Sequence, residues 1–162
     1  MLKQQVHFVV LGMGAVGGFY GLRLAKHLQE HPGEFGLSFI ARGKTLEALR
    51  EGASLIDCDE ETKFTRLNCF GSFGDIDFKA NEQVVVLLCV KSKDTLEAVN
   101  SIDRNDIAVI SIQNGVENEQ RIASVLGEER TIGALTNIAA EALEPGNYIN
   151  KGKYSLVIGE LD

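Results

Sequence analysis

The 162-residue sequence predicts an α/β fold in which an open, mostly parallel sheet carries helices on both faces. The first observation is the stretch Val6 to Gly18, VHFVVLGMGAVGG, in which an apolar run leads directly into Gly12, Gly14 and Gly17. The second is the alternation of strand-like and helix-like segments along the rest of the chain. The third is Val84 to Val90, VVVLLCV, which is apolar on both sides of the pleat, as a central parallel strand requires. Together these features are typical of a doubly wound sheet of the Rossmann type.

The three glycines form a G-x-G-x-x-G loop between a predicted strand and a predicted helix. Gly12 permits a tight turn, Gly14 lets the backbone approach a pyrophosphate, and Gly17 lets the helix pack closely on the strand. Apolar residues at helical spacing follow from Phe19 to Leu28, so the free N–H groups of the helix point back at the loop. The loop therefore predicts a binding site for the phosphates of a dinucleotide. The alternative is an ordinary glycine-rich turn.

Arg42 follows the second predicted strand, Leu37 to Ala41, without a spacer. In a dinucleotide fold this position meets the adenosine ribose, where an acid binds the 2′-hydroxyl of NAD and an arginine can bind the 2′-phosphate of NADP. The missing acid and the cluster Arg42-Gly43-Lys44 favour NADP. The alternative is a solvated surface arginine.

The remaining segments alternate between strand and helix patterns and complete the sheet. The predicted strands are Ser54 to Cys58, Lys63 to Phe70, Val84 to Val90, Ile107 to Ile112 and Thr131 to Ala140, followed by Tyr148 to Asn150 and Tyr154 to Ile158 as a final pair. The predicted helices are Thr45 to Arg50, Thr95 to Ile102 and Glu117 to Leu126. We place Lys63 to Phe70 at the third position of the sheet.

Polar or glycine residues stand at the carboxyl ends of four predicted strands, at Gly12, Arg42, Lys91 and Gln113-Asn114. In an open parallel sheet these ends share one edge, and ligands bind there at the topological switch point. Lys91 and Asn114 are therefore candidate site residues. Taken alone, Lys91 has the alternative of a solvated lysine and Asn114-Gly115 that of a tight turn.

The composition limits the classes of partner. The 16 Lys and Arg against 23 Asp and Glu give a net charge of −7, which argues against a nucleic-acid or anionic-membrane surface. The longest apolar run, Val84 to Val90, is far shorter than the roughly 20 residues that span a bilayer. We expect one domain, over residues 1–162, in a cytoplasmic protein that binds neither nucleic acid nor membrane.

The sequence predicts free thiols and no metal site. The three cysteines contain no C-x-x-C pair, and the three histidines lack metal-ligand spacing. These residues are Cys58, Cys69, Cys89, His7, His27 and His31.

These motifs resemble one family, the ketopantoate reductases (2-dehydropantoate 2-reductases), which are NADPH enzymes of pantothenate biosynthesis. The matching segments are LGMGAVGG, ARG after the second strand, VKSKDT after the central strand and QNGVENE after the next. The resemblance spans essentially the whole chain. It implies NADPH as the cofactor and hydride transfer to the 2-keto acid ketopantoate.

The resemblance also implies roles for particular residues. Arg42 is similar to the family's 2′-phosphate ligand, Lys91 to its cleft lysine, and Asn114 to a residue near both nicotinamide and substrate. Ala139 resembles a backbone contact to the cofactor. Lys91 and Asn114 are thus the implied catalytic positions in this chain. The implied phosphate loop consists of Gly12, Met13, Gly14, Ala15, Val16 and Gly17.

In this family a second, helical domain supplies the lysine proton donor and most substrate-binding polar residues, and residues 1–162 hold no counterpart of it. We therefore expect the dinucleotide-binding domain of a longer enzyme, inactive by itself, with an exposed cleft face that favours a homodimer. One alternative is a stand-alone NADP-binding regulatory or sensing module, for which Lys91 and Asn114 would be superfluous. Another is an NAD-linked dehydrogenase for a different alcohol, which Arg42 disfavours.

Overall fold

The computed structural model describes residues 5–115 and 117–161. The strands are β1 Gln5–Leu11, β2 Gly36–Ile40, β3 Ala53–Asp57, β4 Glu60–Phe64, β5 Cys69–Phe70, β6 Glu82–Leu88, β7 Ile107–Ser111, β8 Thr131–Asn137, β9 Ala140–Glu144, β10 Asn147–Asn150 and β11 Ser155–Glu160. The α-helices are α1 Ala15–Glu30, α2 Gly43–Glu51, α3 Thr95–Asn100 and α4 Asn118–Leu126. Within the described residues, no helix has both the length and the apolar character that crossing a bilayer demands.

The main sheet has seven strands in the order β11-β8-β7-β6-β1-β2-β5. All neighbours are parallel except β11, which runs antiparallel to β8. The chain moves outward from β1 to β2 and β5, then returns to β6 on the other side of β1. The strand order therefore reverses between β1 and β6, which is the topological switch point of a doubly wound sheet. The predicted fold class is confirmed.

Helices cover both faces of this sheet, and each face has its own apolar core. Along β1 the side chains alternate between the faces: Val10 packs in one core with Leu22 of α1, and Val9 in the other with Ile122 of α4. The central strand β6 is buried on both faces, since Val86 joins one core and Leu87 the other. The doubly apolar sequence of β6 thus had the structural meaning that we assigned to it.

A second sheet, with strand order β4-β3-β10-β9, packs against α1, and the sequence did not predict it. The predicted strand Lys63 to Phe70 is wrong as one element. Its first part belongs to β4, which forms a hairpin with β3, and only Cys69–Phe70 reaches the main sheet beside β2. Ion pairs at 2.7 Å between Arg23 and Asp57 and at 2.6 Å between Lys26 and Glu60 hold the hairpin on α1.

The last third of the chain also differs from the prediction. Thr131 to Ala140 is not one strand, because β8 ends at Asn137 and β9 enters the second sheet. The predicted final pair does not form: β10 pairs with β9 and β3, whereas β11 pairs with β8. The physical reason is the burial of Tyr148 against α1, where a Cβ on Gly18 would lie 2.1 Å from its ring. This contact holds β10 on the helix and away from the main sheet.

Candidate functional site

The loops that follow β1, β2 and β6 meet at one edge of the main sheet and enclose a cleft of about 410 Å³. Its position at the switch point agrees with the rule that ligands of open α/β sheets bind outside the carboxyl ends of the strands. Gly12, Met13, Gly14 and Arg42 are among the residues that line it. The structure therefore brings the first three residues of the predicted phosphate loop and the predicted 2′-phosphate ligand to the same cleft.

The three glycines of the loop have different surroundings. Gly12 has φ +98°, and a Cβ there would lie 2.9 Å from the backbone nitrogen of Val90. A Cβ on Gly17 would lie 1.9 Å from the carbonyl oxygen of Gly12, so this glycine lets α1 pack on the loop. Gly14 is exposed, and a Cβ on it would have no described heavy atom within 4 Å. Packing requires Gly12 and Gly17, whereas Gly14 borders open space.

This open space lies at the N-terminus of α1. Gly14 is the N-cap residue, and its carbonyl accepts the first helical hydrogen bond from the Gly18 N–H at 2.8 Å. The N–H groups of Ala15, Val16 and Gly17 consequently have no acceptor within the helix. Together with the positive end of the helix dipole, they form a site that suits the pyrophosphate of a dinucleotide.

Tyr148 holds this loop from behind, a role that sequence reasoning missed. Its hydroxyl donates a hydrogen bond of 2.8 Å to the carbonyl of Met13, and the ring is buried against Gly18. Burial raises the pKa of Tyr148 to about 12, so the hydroxyl stays protonated and able to donate. The sequence signal for this contact was the double glycine Gly17-Gly18: Gly17 lets α1 pack on the loop, and Gly18 makes room for the Tyr148 ring.

Cys89 packs directly behind the same loop, with its Cβ 3.0 Å from the position that a Cβ on Gly17 would occupy. Burial raises the pKa of this thiol to about 12, so it remains protonated and acts as a small apolar group. Cys58 and Cys69 are also free thiols, as predicted.

Arg42 is the N-cap residue of α2, just beyond the end of β2, and its side chain reaches across the cleft to α3. There its Nη1 donates to Oε1 of Glu97 at 3.0 Å. Both side chains are largely exposed, at 70 % and 71 %. The guanidinium is thus available to an anion in the cleft at the modest cost of leaving a solvated ion pair.

Lys91 and Asn114 follow β6 and β7 and are both exposed. A hydrogen bond of 2.8 Å from Ser92 Oγ to the carbonyl of Asn114 joins their two loops. Behind them, the buried Gln113 donates from Nε2 to the Val90 carbonyl at 2.7 Å and to Thr95 Oγ1 at 2.9 Å. This network fixes the loops while leaving the two predicted side chains facing outward.

The site residues do not all share one cavity. Asn114 borders a larger, open groove of about 920 Å³ between α4 and the strands β8 and β11. Among the residues described as lining this groove or the cleft, Lys91 and Ala139 do not occur. Ala139 lies between β8 and β9, where its carbonyl accepts a hydrogen bond of 3.3 Å from the Lys151 N–H. The cleft is lined by Val90 and Asp94 of the loop that carries Lys91, whereas the described lining of the groove includes no residue of that loop.

Comparison with known proteins gives a consistent result. The family model described as ketopantoate reductase PanE/ApbA matches residues 8–162. The 2-dehydropantoate 2-reductase of Pyrococcus horikoshii is 31% identical over 158 residues, which cover 93% of this chain and 46% of that protein. The chain spans about half the length of the curated relatives that it matches.

Solved structures have the same fold. The 2-dehydropantoate 2-reductase from Porphyromonas gingivalis has a TM-score of 0.82 at 23% identity, over 96% of this chain and 55% of that chain. The PanE/ApbA family ketopantoate reductase from Ralstonia eutropha has a TM-score of 0.77 at 28% identity, over 93% of this chain and 48% of that chain. Because the family model matches nearly the whole chain, which also has a glycine loop at the switch point, the chain belongs to the ketopantoate reductase PanE/ApbA family.

Proposed function

We propose that this chain forms the NADPH-binding part of a 2-dehydropantoate 2-reductase, which reduces ketopantoate to pantoate in pantothenate biosynthesis. The observation that carries the proposal is the open space at Gly14, in front of the unpaired N–H groups of α1 and in the same cleft as Arg42. Membership in the ketopantoate reductase family supports the choice of substrate.

Cofactor binding divides between two parts of the cleft. The N–H groups of Ala15, Val16 and Gly17 hold the pyrophosphate, and Arg42 holds the 2′-phosphate after leaving Glu97. Gly12 and Met13 contribute backbone positioned by the turn and by Tyr148. NADPH supplies the hydride when it is bound.

The nicotinamide lies toward Lys91 and Asn114, between the cleft and the larger groove beside Asn114. There the ammonium of Lys91 attracts the keto-acid carboxylate or the carbonyl oxygen, and the Asn114 amide orients the reacting groups. Ala139 provides a backbone contact at the same end of the cofactor.

The protein works in the cytoplasm.

The proton donor and most substrate contacts come from polypeptide outside residues 1–162. Two considerations support this part of the proposal: the chain spans about half of its curated relatives, and Lys91 is exposed rather than enclosed by a wall that would position it. Residues 1–162 act as the dinucleotide-binding domain.

The cofactor assignment is tested by titrating the wild type and Arg42→Ala with NADPH and NADH, using nicotinamide fluorescence. We expect the wild type to prefer NADPH and the variant to bind it about 10- to 150-fold more weakly, because a charge-assisted contact contributes about 1.5 to 3 kcal/mol. Binding of NADH stays unchanged. Arg66→Ala is the matched control, since Arg66 is exposed on the loop that enters β5 from the opposite edge of the sheet.

Equal affinities for the two cofactors in the wild type, or an unchanged preference in Arg42→Ala, would remove Arg42 from the site. Substrate identity is tested separately: the longest polypeptide that this gene encodes is assayed for reduction of ketopantoate and of several other 2-keto acids. Reduction of ketopantoate supports the proposed reductase activity, whereas NADPH binding without reduction of any keto acid would favour a sensing module.

A further inference from the structure

We infer that Glu97 is a specificity-determining residue of the cofactor cleft: by engaging Arg42, it weakens the binding of NADPH and leaves the binding of NADH unchanged. The inference rests on the proposed function, because it presumes that a dinucleotide occupies the cleft. It concerns a residue of α3 that neither the phosphate-loop motif nor the ribose-binding strand contains.

The geometry connects the two walls of the cleft. Arg42 comes from the end of β2 on one side of β1, whereas α3 follows β6 on the other side. Their side chains meet at 3.0 Å between Nη1 and Oε1, and both residues line the cleft. The ion pair therefore spans the switch point at which the adenosine end of a dinucleotide would bind.

The charges of the cleft explain why the contact between Arg42 and Glu97 affects NADPH binding. Of the described residues that line it, Arg42 is basic, whereas Asp94 and Glu97 are acidic. A 2′-phosphate brings about two negative charges, and its guanidinium partner is already bound to a carboxylate. Glu97 binds Arg42 through Nη1 alone, so a 2′-phosphate must either displace the carboxylate or share the guanidinium with it, and in both cases Arg42 neutralises the phosphate less fully.

NADH can bind without disturbing the contact between Arg42 and Glu97. Its ribose carries a hydroxyl in place of the phosphate, so Arg42 can remain paired with Glu97 while NADH binds. The ion pair between Arg42 and Glu97 is exposed and therefore weak, so separating the two side chains costs little free energy. Glu97 therefore reduces the preference for NADPH by a few-fold without abolishing it.

The test is Glu97→Gln, titrated with NADPH and with NADH. Glutamine keeps the length and the helix propensity of the side chain but lacks the charge. We expect the Kd for NADPH to fall about 2- to 5-fold, which is the strength of an exposed ion pair, while the Kd for NADH stays within error. In the Arg42→Ala background the same substitution should leave both Kd values unchanged.

Asp94→Asn is the matched control, because Asp94 carries the same charge in the same cleft but does not bind Arg42 among the contacts of the described residues. A smaller gain in NADPH affinity from Asp94→Asn than from Glu97→Gln supports a specific effect of Glu97 on Arg42. An equal gain from both variants, or a gain from Glu97→Gln that persists without Arg42, would overturn the inference in favour of general charge removal.

Two further outcomes separate this inference from the proposed function. If NADPH binding depends on Arg42 but Glu97→Gln changes nothing, the inference fails and the cofactor assignment stands. If the wild type binds neither cofactor, both fail. A loss of NADH affinity in Glu97→Gln would also overturn the inference, since it would make the carboxylate a direct ligand of the ribose 2′-hydroxyl.

Discussion

Gly14 and Gly17 lie three residues apart, at the N-cap and in the first turn of α1, but have opposite surroundings. At Gly14 the backbone is extended, with a negative φ of −76° that does not demand glycine, and the position of a Cβ is open. We expect Gly14→Val to fold normally and to lose NADPH binding, because the added side chain fills the space that the phosphates need. Circular dichroism and a fluorescence titration measure the two properties.

Gly17→Ala is the contrasting variant. Its Cβ would lie 1.9 Å from the carbonyl oxygen of Gly12, a rigid backbone atom, so the substitution should destabilise the fold itself by several kcal/mol or prevent folding. A folded Gly14→Val protein that binds NADPH with wild-type affinity would show that the loop does not hold the phosphates.

Tyr148→Phe separates the hydroxyl of this residue from its ring. The ring still fills the space beside Gly18, but the Met13 carbonyl loses its hydrogen bond. We expect a loss of about 0.5 to 1.5 kcal/mol in the free energy of unfolding and a weaker Kd for NADPH, since the loop is less firmly held. Thermal unfolding with and without NADPH measures both effects.

Tyr154→Phe provides the control for Tyr148, because Tyr154 is a more exposed tyrosine of the same region. Equal NADPH affinities of the wild type and Tyr148→Phe would mean that the hydroxyl stabilises the fold without positioning the loop.

Neighbouring strands β1 and β6 share a buried carboxylate far from the cleft. Glu82 accepts a hydrogen bond of 2.9 Å from the Lys79 N–H, and its Oε2 lies 3.2 Å from Nδ1 of His7. Burial raises the pKa of Glu82, but these two partners together hold it below the ordinary value of 4.5. The ionised form therefore stabilises the folded state above pH 4.5, and this contribution is lost as the pH falls through the lowered pKa.

Glu82→Gln should accordingly unfold more easily than the wild type at pH 7, by about 1 to 2 kcal/mol. The difference should shrink as the pH falls below the ordinary carboxyl pKa of 4.5. Glu30→Gln, at the exposed end of α1, serves as the control. A difference between Glu82→Gln and the wild type that is constant from pH 7 to pH 3 would contradict the assigned role of the charge.

The elements of the main sheet were predictable because their signals are local. The glycine loop, the doubly apolar β6 and the polar strand ends each occupy a few consecutive residues, and the parallel sheet gathers those ends at one edge. The second sheet was not predictable, because β3 pairs with β10, which lies more than 80 residues further along the chain. Its strands are short, and the exposed β4 and β9 lack a clear alternation of apolar and polar residues.

The same distinction, between local signals and long-range contacts, explains which residues of the candidate site could be predicted. Arg42 could be predicted from its place after β2, whereas its partner Glu97 lies 55 residues away on a helix with no motif of its own. Tyr148 is separated from its partner Met13 by 135 residues. Only tertiary packing brings Glu97 into the cleft and Tyr148 behind the glycine loop.

For the whole molecule, we expect NADPH binding without useful reduction of ketopantoate by residues 1–162 alone. The groups that we propose to hold the phosphates are present, but a positioned acid contributes about 10²- to 10⁴-fold to such a reaction, and substrate alignment contributes several kcal/mol more. The measurement is NADPH oxidation with saturating ketopantoate, beside a binding titration. Turnover near the roughly 1 to 10³ per second of ordinary enzymes would contradict the proposed origin of the proton donor.

The pairing of β3 with β10 also sets an order of events during synthesis. While the ribosome is still making the first 140 residues, the β3–β4 hairpin has no partner along β3, and the phosphate loop lacks the tyrosine that holds it. Both are completed by one late segment, Asn147–Asn150. A nascent chain therefore completes the packing behind its glycine loop only after Asn147–Asn150 has left the exit tunnel.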